Sequence, residues 1–223
     1  IERDFLGEKE VPTDVYYGVQ TLRAVENFPI TGYPVPKTLI TAFGHVKKAA
    51  ALANADIGQL ERQKAEAIGR AADELIAGRL HEQIIVDAIQ GGAGTSTNMN
   101  VNEELANRAL ELLGHEKGEY TYISPNTHVN MSQSTNDTYP TSMHVAILSE
   151  MPKLLDALRG LHATFLTKAT QFQPMIKMGR THLQDAVPIR LGQEFRAYAK
   201  VVERNMTRLE QSLSDLYEVN LGA

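Results

Sequence analysis

Three polar stretches hold the residue types that could do chemistry: "GGAGTSTNMN" at Gly91 to Asn100, "SQSTND" at Ser132 to Asp137, and "GRTHLQ" at Gly179 to Gln184. The first is a glycine-rich turn placed ahead of an apolar-periodic run, Val101 to Leu113. A turn that opens a helix leaves N–H groups without partners and exposes the positive end of the helix dipole, so it favours an anion. Phosphate templates do not fit. There is no Gly-Lys-Ser/Thr ending, and Gly92-Ala93-Gly94 is followed by Thr95-Ser96-Thr97 where a dinucleotide fingerprint needs a third glycine. A carboxylate suits the hydroxyls of Thr95, Ser96 and Thr97 equally well. Serine, threonine and asparagine are also the usual helix caps, and capping alone would account for the same residues.

The second stretch also precedes a helix, with Pro140 expected near the first turn, where proline is tolerated. Ser134, Thr135 and Asn136 offer hydroxyl and amide groups in succession, a mixture able to hold both a carboxylate and an ammonium. Capping again competes with that reading. The third stretch supplies Arg180, Thr181, His182 and Gln184. His45, His81, His115, His144 and His162 read as structural histidines, whereas His182 is set apart by its polar company. No His-Glu-x-x-His and no aspartate-rich calcium loop occurs, so no protein-held metal is indicated.

The elements that position these stretches follow from periodicity. Glycines and prolines at Gly7, Pro12, Gly18, Pro29, Gly32, Pro34 and Pro36 predict an irregular arm over residues 1–36. Leu39, Phe43, Val46, Ala50 and Ala53 predict one helix ending near Gly58; Ala65, Ile68, Ala72, Leu75 and Ile76 predict a second before Gly78. A third covers Val101 to Leu113 with Gly114 as its stop, and residues 116–131 read as a long loop. Two longer amphipathic helices follow, Thr141 to Phe172 and Pro188 to Tyr217. About thirty residues at ~1.5 Å each give rods of about 45 Å, a length typical of bundles and of packing between subunits. Pro152 lies inside the first rod and predicts a kink or break there. "QPMIKMGRTHLQDAVP" between the rods reads as a polar loop.

Composition narrows the function further. The chain has 223 residues, 43% hydrophobic and 22% charged, which is enough for a sizeable core. Its net charge is −5 and its basic residues are single or paired, as in Lys47-Lys48, so no basic stripe suits nucleic acid. Cysteine is absent, which removes thiolate metal sites and fits a reducing compartment. No membrane span and no apolar leader is evident, so a cytoplasmic location is expected.

Taken in order, "GGAGTSTNMNVNE", "SPNTHVNMSQSTNDTYPT" and "KMGRTHLQDAVPIRLGQEF" resemble the aspartase/fumarase superfamily, and "VPTDVYYGVQTLRAVENF" resembles its entry segment. Class II fumarases typically carry "GSGTQSNMN", "SQSSND" and "GRTHTQDATP" at these places, so the variants here are those of the aspartase branch. The resemblance implies a mainly α fold: an N-terminal mixed helical and irregular domain, residues 1–137, followed by the start of a helical bundle, residues 138–223. It implies reversible anti-elimination of ammonia from L-aspartate to give fumarate through an aci-carboxylate intermediate, without a cofactor, in a homotetramer whose active sites are each shared by three subunits. Carried over by motif, Thr95, Ser134, Thr135, Asn136, Thr181 and His182 bind substrate. Thr95, Ser134 and Thr135 face a carboxylate and Asn136 the ammonium, while Thr181 and His182 come from another subunit. Arg180 is either an organiser of its loop or a structural ion pair. The family's general-base serine sits in a loop expected beyond Ala223, so the chain reads as roughly an N-terminal half. A fumarase-like hydratase, and a structural helical protein like the crystallins of this superfamily, are the alternatives.

Overall fold

The computed structural model of the protein describes residues 1–90 and 92–221. The chain forms two compact units, Ile1–Ala146 joined by the segment that starts at Val219, and Ile147–Glu218.

In the first unit a short hairpin pairs β1 (Glu2–Asp4) with β2 (Gly7–Lys9), and α1 (Val19–Asn27) follows. The expected irregular arm is therefore partly regular. The glycines and prolines bracket α1 without entering it, and its N-terminus is held from elsewhere in the chain. The buried carboxylate of Glu103 accepts hydrogen bonds from the N–H groups of Gly18 (2.8 Å), Gln20 (2.9 Å) and Thr21 (3.1 Å) and from the Thr21 hydroxyl (2.7 Å). A negative group at a helix N-terminus is favourable both as a cap and against the dipole.

Helices α2 (Lys37–Asp56), α3 (Arg62–Ile76) and α4 (Thr95–Leu112) build the core, with Phe43, Ile68, Leu75, Val101, Leu105 and Leu110 fully buried. Periodic apolar faces predicted all three, and Gly114 stops α4 as expected with φ +82°. The onset of α4 differs from the sequence reading. It starts at Thr95, so the hydroxyl-rich segment lies in the first turns of the helix and only the glycines precede it. The expected long loop over 116–131 is mostly turns, with one short wide-wound turn at Pro125–Val129.

Helix α5 runs from Thr135 to Gln171 without a break. The break expected at Pro152 does not occur: one lost N–H is outweighed by more than thirty residues of regular helix. Because α5 starts earlier than read, Pro140 stands in its second turn. In the second unit the expected polar loop is a hairpin, β3 (Ile176–Thr181) paired with β4 (Gln184–Arg190), followed by α6 (Leu191–Ser212). Phe165, Phe172, Phe195 and Tyr198 form an edge-packed aromatic cluster between α5 and α6. Leu154, Leu161 and Leu166 on α5 and Tyr198 and Val201 on α6 remain exposed.

Candidate active site

Gly94 begins α4 with φ +88°, in the left-handed region, and a Cβ at this position would collide with the ring of Tyr139. Glycine thus serves two ends here, the turn and the close approach of α5. Tyr139 in turn packs edge-on against Phe43 of the core, 5.7 Å between centroids. The beginnings of α4 and α5 are therefore brought together by packing.

None of the side chains of Thr95, Ser96 or Thr97 caps α4. Gln90 does so from outside the helix: its carbonyl accepts from the Thr97 N–H at 2.8 Å, and its amide donates to the Thr97 hydroxyl at 2.7 Å and to the Asp87 carbonyl at 3.1 Å. Asp87 steadies this segment, its carboxylate accepting from the N–H groups of Thr31, Gly32 and Ile89 and from the Thr31 hydroxyl. Those bonds, the Thr31 hydroxyl first, hold the Asp87 carboxyl well below the usual range. Thr95 is left exposed, and its hydroxyl has no hydrogen-bond partner among the described residues. Gly91, the first residue of the glycine-rich stretch, lies outside the described residues.

At the start of α5, the carbonyl of Ser134 accepts from Asp137 and Thr138, and its hydroxyl oxygen accepts from the Asn136 N–H at 3.2 Å. Capping therefore does apply to Ser134, though its hydroxyl hydrogen is still available to a ligand. The Thr135 hydroxyl oxygen accepts from the Asn98 amide at 2.9 Å, which ties α5 to α4. The Asn136 side chain is exposed with no partner among the described residues, and Pro140 deprives the Asn136 carbonyl of its helical donor.

Beneath these groups lies a buried polar cluster. Lys47 is fully buried, and its amino group donates to Asn130 Oδ1 and Gln133 Oε1, both at 2.9 Å. Asn130 Oδ1 also accepts from Asn98 (3.1 Å) and Asn102 (3.2 Å). No carboxylate pairs with Lys47 among the described residues, and burial drives its pKa well below the ordinary lysine value. A cleft of about 480 Å³ is lined by Ala88, Ile89, Gln90, Gly92, Ala93, Gly94, Asn136, Tyr139 and Pro140.

Thr181 and His182 belong to the second unit. Thr181 pairs with Gln184 across β3 and β4, leaving His182 and Leu183 as a two-residue turn with φ +51° and +62°. Both angles are those of the hairpin turn whose twist matches paired strands, and non-glycine residues adopt them at some cost. Both Thr181 and His182 are exposed. Arg180 Nε meets Asp185 Oδ1 across the hairpin at 3.3 Å. Both partners are largely exposed, so this pair contributes little stability.

A family model described as "Lyase" matches residues 7–223. The chain belongs to this lyase family. It is 60% identical over 223 residues to the aspartate ammonia-lyase of Bacillus subtilis (strain 168), covering all of this chain and 47% of that protein. It is 52% identical over 227 residues to the aspartate ammonia-lyase of Helicobacter pylori (strain J99 / ATCC 700824), covering 48% of it. The chain thus spans about half the length of the curated relatives it matches. Among solved structures, the fumarate lyase:delta crystallin of Brucella melitensis superposes with a TM-score of 0.93 at 52% identity, covering 99% of this chain and 52% of that one. The class II fumarase of Schistosoma mansoni does so with a TM-score of 0.91 at 35% identity, covering 99% and 47%. The aspartase/fumarase resemblance and the mainly α fold are both borne out.

Gln90, Lys47, Asn98, Asn130 and Gln133 were not singled out from the sequence. One of them did leave a sign: Lys47 lies four residues after Phe43 and four before Ala51, on the buried face of α2 where a lysine is out of place. No group of three or more histidine, cysteine, aspartate or glutamate residues able to hold a metal occurs among the described residues, and no helix among them is long and apolar enough to cross a membrane.

Proposed function

We propose that this chain is part of an aspartate ammonia-lyase, which eliminates ammonia from L-aspartate to give fumarate. What carries the reading is the junction of the α4 and α5 N-termini, with uncommitted hydroxyl and amide groups at Thr95 and Asn136, in a chain 60% identical to a relative of that name. Removal of a Cβ proton from aspartate leaves a carbanion that survives only by delocalisation into the neighbouring carboxylate. The aci-carboxylate then carries two negative charges, and hydrogen-bond donors fixed in advance stabilise it best. Thr95, Ser134 and Thr135 supply hydroxyl hydrogens for this. Asn136 holds the ammonium through its amide carbonyl and orients the C–N bond opposite the departing proton.

The remaining parts of the reading come from the family. The general base is a serine outside these 223 residues; Thr181 and His182 reach a site on another subunit of a cytoplasmic homotetramer; residues 1–137 and 138–223 belong to separate domains. No cofactor enters. The class II fumarase likeness supports a second reading, hydration of fumarate in the same pocket. A full-length protein containing this sequence, assayed with fumarate plus ammonium and separately with fumarate plus water, separates the two. Loss of fumarate absorbance only when ammonium is present is expected, and faster loss in water alone overturns the first reading.

A further inference from the structure

We propose that Lys47 is a positioning residue for substrate binding, acting through a chain of side-chain amides that turns the Thr135 hydroxyl hydrogen toward a bound carboxylate. This deepens the reading above and rests on it.

The sense of each hydrogen bond in the chain can be worked out. Lys47 gives two N–H bonds, to Asn130 Oδ1 and Gln133 Oε1. On its other side Asn130 gives its amide hydrogen to the main-chain carbonyl of Gln133, 3.0 Å away, a group that can only accept. Asn130 is thereby held with its oxygen toward Lys47. That same oxygen can only accept, so Asn98 must present its NH₂ to it, and the second hydrogen of that NH₂ goes to Thr135 Oγ1. With its oxygen engaged as an acceptor, the Thr135 hydroxyl has its own hydrogen left to donate elsewhere.

If the chain ran the other way, Asn98 would offer its oxygen to Thr135. The hydroxyl hydrogen would then turn inward and be lost to a ligand. A reversed Asn130 would set its NH₂ against the hydrogens of Lys47 and its oxygen against the Gln133 carbonyl, so the two together exclude this arrangement. The chain also explains how a lysine is accommodated here without a carboxylate: its partners are two amide oxygens.

The test is a double-mutant cycle on a full-length protein containing this sequence, read as the dissociation constant for fumarate by calorimetry. Lys47→Met is expected to weaken fumarate binding about tenfold, the scale of one hydrogen bond to a charged group. In a Thr135→Val background the same change is expected to do nothing further, because there is no hydroxyl left to orient. An equal loss in both backgrounds overturns the proposal, since Lys47 would then act by charge or general packing. Should Lys47→Met fail to fold, Asn98→Leu breaks the next link and is judged by the same comparison. Fumarate binding without turnover would remove the reaction and leave the positioning role standing. Failure of the unmutated protein to bind fumarate overturns both.

Discussion

Gln90 grips Thr97 twice, by carbonyl on its N–H at 2.8 Å and by amide on its hydroxyl at 2.7 Å, so α4 is capped by a residue that precedes it. The threonine and serine at the helix start are released from that task. Thr95 in particular is exposed, and its hydroxyl makes no hydrogen bond within the described residues. Its two expected roles, cap and substrate contact, can therefore be separated.

Thr95→Ala should leave thermal stability nearly unchanged, within about 0.5 kcal/mol, because nothing structural is removed. If Thr95 meets the substrate, kcat/KM for L-aspartate in a full-length protein should fall about a hundredfold, or roughly 3 kcal/mol. Melting curves and steady-state kinetics on the same preparation check both halves.

Gln90 predicts the opposite pattern. Gln90→Ala removes the cap and should destabilise by about 1 kcal/mol, read as a lower denaturant midpoint. Gln90→Glu keeps an acceptor for the Thr97 N–H and adds a negative charge where an anion is proposed to sit. Its KM for aspartate should rise more than that of Gln90→Ala while its stability falls less. Equal KM values for the two variants would count against an anion at this end of α4.

Pro152 is the one residue of α5 that sequence logic most strongly opposed, yet the helix runs unbroken from Thr135 to Gln171. The residue is exposed. Pro152→Ala returns a donor for the Leu148 carbonyl and removes the ring clash, so it should raise stability, by up to about 3 kcal/mol where the helix relaxes fully. A lower melting temperature would mean that the proline ring packs in a way that alanine cannot replace.

What was legible in the sequence was whatever periodicity or motif could express. Phe43, Ile68, Leu75 and Leu105 fall on apolar faces at helical spacing, and all are buried. α1 was hidden because its N-terminus is capped by Glu103, more than eighty residues away, a pairing no local pattern reports. The β3–β4 hairpin was hidden because its turn is His182-Leu183, not the Asn-Gly or Gly-Gly that usually signals two positive φ angles. Ser134 and Thr135 were legible as polar groups at a helix start. That one caps and the other is held by Asn98 is a fact of tertiary geometry.

Glu104 yields a prediction about pH. It is fully buried on α4, and neither carboxylate oxygen has a hydrogen-bond partner among the described residues. Burial pushes its pKa well above the ordinary 4.5, and the nearby charge of Glu82 pushes the same way. The folded protein therefore holds a proton that the unfolded chain gives up near its ordinary value. Above that value the unfolded chain binds fewer protons than the folded one, so stability falls as pH rises toward the folded pKa; it is fully present only below the unfolded value. Glu104→Gln has nearly the same shape and cannot ionise. Its melting temperature should exceed that of the unmutated protein by a margin that widens as pH rises above the ordinary carboxyl value. A constant margin above that value would mean that Glu104 is ionised in the fold and carries a partner such as a bound cation or water.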